Sequence, residues 1–398
     1  MLKNILFVHS TSSFGGASKS LSELGKILSK SASLSVITPN GNVVGFFKGS
    51  GMTVYTGNIS QFNHTEYGCY RGFRWIVLLR ELIFLPISFY KINKLIQSNH
   101  YDLIHLNEVT LLPWAWYFKK RNLPVVVHVR SVYKPFTNSK RDRFFLNLFR
   151  NYIGHIIAID ETVKESLPKG LPVTVIHNGL KFSQGYPKPH VFQLSSESEL
   201  NVCIVGSLLR LKGLYEFIKA SKILINKELN IKFHIAGTNP RKKDFVTSLY
   251  KRFGLYDDVY GDLKAFVAEN SLENKVMFHG LVKDIAGFYE NMDVVCFPSY
   301  YNAPGRPVFE AAYYGIPSIV AVDRPTKDTI IHNETGLVIE KPCAQLLAEQ
   351  IEKLYLDRKL LTKLGKGARQ LAEEHYSLER NARKVFDIYQ TILSNKGS

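Results

Sequence analysis

The stretch 201-NVCIVGSLLRLKGLYEFIKASKILINKELNIKFHIA-236 decides the fold. Asn201–Val205 is a short apolar run that stops at Gly206, and Lys232–Ala236 is a second run ending at Gly237. Between them, Leu214–Asn226 repeats its apolar residues at helical spacing. Near-continuous Val/Ile/Phe strands separated by a helix read as parallel strands buried on both faces. The same scheme continues outward. Val276–His279, Asp293–Phe297, Ser318–Val322 and Gly336–Ile339 read as strands, with helices over Asp284–Asn291, Phe309–Tyr314, Cys343–Asp357 and Leu360–His375. Toward the start, Asn4–His9, Ser33–Thr38, Asp102–Leu106, Val125–Val129, His155–Ile159 and Val173–Ile176 read as strands, with helices over Ser18–Lys30 and Trp75–Gln97.

Two such series predict an α/β protein of two Rossmann-like, doubly wound parallel-sheet domains facing a cleft. The apolar periodicity lapses over Gln184–Glu199, which holds Gly185, Pro187, Pro189 and a Ser/Glu cluster. We therefore divide the chain into an N-terminal domain 1–188, a linker 189–199 and a C-terminal domain 200–376. An amphipathic helix over 377–398 is expected to pack back toward the first domain. Ligands of open parallel sheets bind beyond the carboxyl ends of the strands, so the chemistry should follow the strands.

Composition narrows the function classes. The 398 residues are 45% hydrophobic and 21% charged, which suits two cored globular domains. The four cysteines (Cys69, Cys203, Cys296, Cys343) are widely spaced and form no CxxC pair, which argues against a zinc ribbon or a disulfide scaffold. Neither a secretory leader nor an 18-residue apolar run is visible, so a cytoplasmic location is expected. The net charge of +17 is lopsided: residues 1–195 hold 23 Lys/Arg against nine Asp/Glu, and the remainder is nearly balanced. A one-sided basic field points to an anionic partner.

Four stretches carry candidate chemistry. Ser13-Phe14-Gly15-Gly16-Ala17-Ser18 follows the first strand and opens a helix, a place where free amides meet an anion. His128 and Arg130 end the strand Val125–Val129, where an imidazole can donate a hydrogen bond or act as acid or base. Gly206 through Gly213 gathers Arg210 and Lys212 at a helix start, which suits a diphosphate. Phe297–Pro317 runs from a strand end through a Gly/Pro loop containing Asn302, Gly305, Arg306 and Pro307 into a helix starting near Val308. Its amides can cradle phosphate and sugar oxygens, and Glu310 in the first turn can accept from vicinal hydroxyls.

In order and spacing these pieces resemble the retaining GT-B-fold glycosyltransferases of family 4, the glycosyl transferases group 1. The resemblance rests on Gly15-Gly16, His128, Ile176-His177-Asn178-Gly179, Gly206…Lys212-Gly213, Ile235-Ala236-Gly237, Phe278-His279-Gly280, Pro298-Ser299…Glu310-Ala311…Gly315-Ile316-Pro317 and Glu334-Thr335-Gly336-Leu337. It implies that Lys212, helped by Arg210, binds the donor diphosphate and that Glu310 holds the ribose. It further implies that the Gly305–Val308 amides touch donor sugar and phosphate, Gly16 faces the diphosphate, and His128 contacts the donor sugar. It implies no cofactor and no metal, in keeping with the lack of a DxD after any strand. Three positions depart from the family pattern. Asn302 stands where a Glu is usual, Ser207 where an Arg is usual, and Lys181 where an Asp is frequent.

The basic half is then the acceptor side. Arg71, Arg74, Arg80, Lys119, Lys120, Arg121, Lys140, Arg141, Arg143 and Arg150 are interleaved with Phe73, Trp75, Phe84, Phe89, Trp114, Trp116, Tyr117 and Phe118. Near anionic lipid each such cation is worth about 1 kcal/mol. The expectation is a peripheral enzyme of the inner leaflet, using a nucleotide sugar to extend a saccharide or lipid-linked saccharide in a bacterial surface polysaccharide. A non-hydrolysing sugar-nucleotide epimerase shares the architecture and is the main alternative. A basic nucleic-acid-binding protein is the other, and it lacks any recognition-helix, RNP or finger signature.

Overall fold

The computed structural model describes residues 3–13, 15–65, 70, 75–134, 139–180, 192, 195, 198–239 and 258–395. Most of the segment read as a linker, including Gly185, Pro187 and Pro189, lies outside the described residues, as do Phe14, Cys69, Arg71, Phe73, Arg74 and Lys181. The chain divides into two compact units, Met1–Lys181 with Tyr376–Ser398, and Phe182–His375.

The first unit is a seven-stranded parallel sheet. Its strands are β1 (Lys3–Val8), β2 (Ala32–Thr38), β3 (Thr53–Thr56), β4 (Leu103–Leu106), β5 (Val125–Val129), β6 (His155–Ala158) and β7 (Val173–Val175), in the order β3-β2-β1-β4-β5-β6-β7. Alternation on β1 explains why both faces are covered. Ile5 and Phe7 enter one core together with Leu21, Val36 and Val126, under helices α1 (Gly16–Leu28) and α2 (Val43–Lys48). Leu6 and Val8 enter the other, under α3 (Trp75–Ser98), α4 (Trp114–Lys119) and α5 (Lys140–Tyr152). A short α6 (Glu161–Ser166) joins β6 to β7. β3 is an edge strand of four residues, Thr-Val-Tyr-Thr, too short and polar to register as an apolar run.

The second unit has six parallel strands: β8 (Leu200–Val205), β9 (Ile231–Ala236), β10 (Val276–Gly280), β11 (Val294–Phe297), β12 (Ser318–Ala321) and β13 (Gly336–Ile339), ordered β10-β9-β8-β11-β12-β13. The connecting helices are α7 (Leu214–Ile225), α8 (Val259–Glu269), α9 (Ile285–Tyr289), α10 (Arg306–Tyr313), α11 (Ala344–Leu356) and α12 (Arg358–His375). Its core gathers Val202, Ile204, Phe217, Phe233, Cys296, Ile319, Leu347 and Leu361. The last helix, α13 (Leu378–Ser394), places Ala382, Val385 and Tyr389 in the core of the first unit.

One boundary differs from the sequence reading in a way that matters. α10 begins at Arg306, not near Val308, because Pro307 sits in its first turn, where a missing N–H costs nothing. Glu310 is therefore in the second turn, four residues after Arg306, and buried.

Both sheets reverse their winding once, at β1/β4 and at β8/β11. At the second reversal the loops are in van der Waals contact. Gly213 has φ +77°, and a Cβ there would fall 1.8 Å from the Pro298 carbonyl oxygen. Left-handed backbone plus that overlap leaves room for glycine only. We expect Gly213→Ala to cost the second unit about 2 kcal/mol or more in urea unfolding; stability within the usual ~0.5 kcal/mol scatter of surface substitutions would mean the loops separate freely.

Candidate functional site

In the second unit, the loops at the β8/β11 reversal build one cluster. Arg210–Lys212 form a single 3-10 turn between Leu209 and Gly213, and Gly213 then caps α7. Phe297 ends β11, and its ring packs under the α carbon of Gly305, where a Cβ would come within 2.3 Å of it. The Lys212 ammonium lies 4.9 Å from the Phe297 ring centroid and 4.9 Å from that of Tyr301. Aromatic faces hold a desolvated cation in place but carry no countercharge. Lys212 forms no ion pair with any described carboxylate. Burial lowers its pKa to about 8, so at neutral pH it is still charged, by about ten to one.

The loops are cross-linked through the main chain. The Tyr300 amide and the Ser299 hydroxyl both donate to the Leu211 carbonyl, at 2.9 and 3.1 Å, and the Tyr300 phenol donates to Glu216 at 2.7 Å. Lys212 is thus carried on a turn fixed to β11. Arg210 is exposed, its guanidinium 5.6 Å from the Tyr215 ring centroid.

On α10 the Glu310 carboxylate accepts from Arg306 Nε at 2.8 Å and from the Tyr289 phenol at 3.3 Å. Burial and the Glu310 charge push the Tyr289 phenol well above its ordinary range, so it stays a donor. The Glu310 charge is thus balanced four residues back. Gly305 caps α10 with extended backbone and no side-chain cap, and Val308 donates to the Gly305 carbonyl. Asn302 is exposed in left-handed backbone, φ +49°, a conformation asparagine tolerates. Its Oδ1 accepts from the Asp323 amide at 2.7 Å, so only its NH2 end is left to meet a ligand.

In the first unit, polar residues follow the ends of β1, β4 and β5 and lock together. Arg130 donates from Nε to Asn107 Oδ1 at 2.7 Å and from Nη1 to Asn178 Oδ1 at 2.5 Å, with Nη2 3.3 Å from His128 Nδ1. The Asn107 amide donates to His9 Nδ1 at 3.0 Å. The tautomers follow from this network. A guanidinium only donates, so His128 accepts at Nδ1 and carries its proton on Nε2. That Nε2 is buried and has no partner. His9 likewise carries its proton on Nε2, 2.9 Å from Ser18 Oγ and 2.8 Å from Thr11 Oγ1. Burial, then the Arg130 charge, hold both imidazoles well below their ordinary range, His9 at about 3. His128 is therefore a neutral N–H donor, and of the two roles read from the sequence the geometry supports donation.

Ser18 belongs to α1, which starts at Gly16 with Gly15 as its cap. Neither glycine has an atom within 4 Å of where a Cβ would stand, and the first turn holds no acidic residue. The first-turn amides of α1 have no intrahelical acceptor, as at any helix start. Glu108, after β4, accepts from Val109 N at 2.7 Å and Ser131 Oγ at 2.7 Å, and burial raises its pKa. His9, Asn107, Glu108 and Asn178 have no assigned role in the sequence reading, and Arg130 was noted only as His128's neighbour. The signal that finds them is positional: each lies within three residues after the end of a strand. Among the described residues no group of three or more His, Cys, Asp or Glu is placed to hold a metal ion.

Residues 189–371 match the family described as glycosyl transferases group 1, and residues 14–184 match glycosyltransferase family 4. The capsular polysaccharide biosynthesis glycosyltransferase CapM of Staphylococcus aureus is 27% identical over 251 residues, covering 60% of this chain and 62% of CapM. The chain thus spans about six-tenths of that relative's length. YqgM of Bacillus subtilis, an uncharacterized glycosyltransferase, is 21% identical over 356 residues, 86% of this chain and 89% of YqgM. In fold, the chain is similar to Anabaena Alr3699/HepE, solved in complex with UDP and glucose. The TM-score is 0.72 at 20% identity, over 96% of this chain and 98% of that one. With both halves matched, the chain belongs to the group 1 glycosyltransferases and has their GT-B fold class.

Proposed function

We propose that the protein moves a sugar from a nucleoside-diphosphate sugar to a hydroxyl of a saccharide or lipid-linked saccharide, with retention at the anomeric carbon. The pathway we propose is assembly of a bacterial surface polysaccharide. The observation that carries the reading is Lys212, a desolvated cation seated on two aromatic rings beside a helix start and lacking a carboxylate partner among the described residues. A site of that kind is completed by an anionic ligand. The relative named for capsular polysaccharide biosynthesis and the structural neighbour holding UDP and glucose support the same class of donor and product.

The chemistry assigns each group a task. The bond from the anomeric carbon to the diphosphate oxygen breaks, and both electrons leave with the nucleoside diphosphate. Lys212 and the amides at Gly305–Val308 meet that growing charge, with Arg210 as a second cation. Interactions that strengthen as charge develops are those that lower the barrier. The acceptor oxygen bonds to the same face of the anomeric carbon, and its proton passes to the departing phosphate oxygen. Glu310, held by Arg306 and Tyr289, accepts from the ribose hydroxyls, and the Asn302 amide donates to the sugar. In the first unit Gly15 and Gly16 offer amides to phosphate, and His128 Nε2–H donates to a sugar hydroxyl. Because burial and then Arg130 keep it uncharged, His128 orients the sugar and does not take the proton.

Four outcomes follow. Lys212→Met, with folding intact by circular dichroism, should lower kcat by about 10²–10³; turnover within threefold of wild type removes Lys212 from the reaction. Nucleoside diphosphate affinity, measured by calorimetry, should be flat below pH ~8 and fall toward tenfold per pH unit above it. The sign follows from Lys212: only the protonated amine attracts the ligand, and the ligand raises its pKa. EDTA should leave turnover unchanged within about twofold, because fixed cations carry the leaving charge. Donor incubated with acceptor should yield an α- or β-glycoside of the donor's own configuration; an epimerised nucleotide sugar from donor alone would overturn the reading.

A further inference from the structure

Helix α3 exposes an apolar stripe. Ile76, Leu79, Ile83, Ile87 and Tyr90 follow one another at steps of three and four, a single face of the helix, and all are exposed; Ile76 and Ile83 are 67% and 64% accessible. The opposite face packs on the loop before the helix and on α4: it carries Glu81 and Ser88, both buried, alongside the partly buried Leu85 and Phe89. Glu81 accepts from the Gln61 amide at 3.0 Å and from Arg80 at 2.6 Å, and Ser88 accepts from the Ser60 amide at 3.0 Å. A surface helix in water carries charged and polar residues on its outer face, not an apolar stripe. Past Tyr90 the same helix reverts to the ordinary pattern, with Ile92 and Leu95 buried and Lys91 and Lys94 exposed.

We propose that this stripe is the surface by which the protein enters an anionic bilayer, lying in the plane of the headgroups. Four observations select that occupant. Trp75 and Tyr90 stand at the two ends of the stripe, where amphipathic aromatics sit at a membrane boundary. Arg80, Lys91 and Lys94 flank it, and the only acidic residue from 75 to 100, Glu81, points inward. The half of the chain that bears it has the excess of 14 positive charges. No described helix is long and apolar enough to cross a membrane, and the stripe from Ile76 to Tyr90 is about 21 Å long, so it rests in the interface without spanning it. A second copy docked stripe to stripe would instead set these lysines and arginines against one another. Of the aromatics read from the sequence as dipping into headgroups, Trp75, Phe84 and Trp116 are exposed, whereas Trp114, Tyr117 and Phe118 of α4 are core residues and Phe89 is partly buried against the first two.

The proposal deepens the acceptor side of the reading above, since a lipid-linked acceptor is met at such a surface, but its test needs no sugar donor. Full-length protein is floated with vesicles of phosphatidylglycerol and phosphatidylcholine, and with phosphatidylcholine alone. Binding is expected to the anionic vesicles only and to weaken with salt. In a Trp116→Phe background Trp75 should shift to shorter emission wavelength and be quenched by acyl-brominated lipid. Ile83→Glu, on an exposed position, should keep the wild-type melting curve and its stabilisation by nucleoside diphosphate while losing about tenfold or more in vesicle affinity. Flotation unchanged by Ile83→Glu overturns the proposal. So does a wild-type protein that ignores anionic vesicles at low salt and sediments as a dimer dissociated by Ile83→Glu. Flotation that survives Lys212→Met while nucleoside diphosphate binding is lost supports the membrane surface independently of the donor site.

Discussion

Parallel pairing is the constraint from which the rest follows. Every strand in both sheets runs the same way as its neighbours, so each must be followed by a crossover that returns the chain to the starting edge. The carboxyl ends consequently discharge their loops along one edge of each sheet. Where the winding reverses, two of those loops diverge and leave backbone amides without sheet partners. In the second unit that reversal brings together Gly213, Pro298, Phe297 and Lys212. In the first it brings together His9, Gly15, Asn107 and the guanidinium of Arg130. The chemistry is an outcome of topology before it is one of particular side chains.

The two clusters solve an electrostatic problem in different ways. Arg130 is surrounded by the neutral oxygens and nitrogen of Asn107, Asn178 and His128. Burial first, and the guanidinium charge second, keep the imidazoles of His9 and His128 neutral. Glu310 is instead neutralised locally by Arg306. A buried pair of that kind gives little net stability, since desolvation of both ions offsets their attraction, but it fixes the carboxylate's orientation. Lys212 has neither arrangement, which is why burial alone moves its pKa.

Much of this was legible in the linear text. The β8–α7–β9 run, the Gly206–Gly213 turn and the Phe297–Pro317 segment announce themselves by period and by glycine and proline placement. Other features were not, for physical reasons. Arg130 finds its partners 23 and 48 residues away, a closure that no local pattern encodes. The start of α10 was hidden because Pro307 reads as loop although the first helical turn accommodates it. In α3 the spacing predicts an apolar stripe but is silent on whether the stripe faces the sheet or the solvent; only the burial of Glu81 and Ser88 decides that. β3 escaped because an edge strand needs just one covered face.

The last helix has a consequence for biosynthesis. α13 supplies Tyr389, whose phenol lies 2.6 Å from His105 Nδ1 beneath the His128 ring, and Asn381, which donates to the His177 carbonyl. Both belong to the first unit, yet the whole of the second unit is translated in between. A nascent chain can therefore close the six-stranded half while still on the ribosome, but the seven-stranded half must wait with an open seam. Vectorial synthesis would mature the later-coded half first, and the basic half would acquire its finished core last.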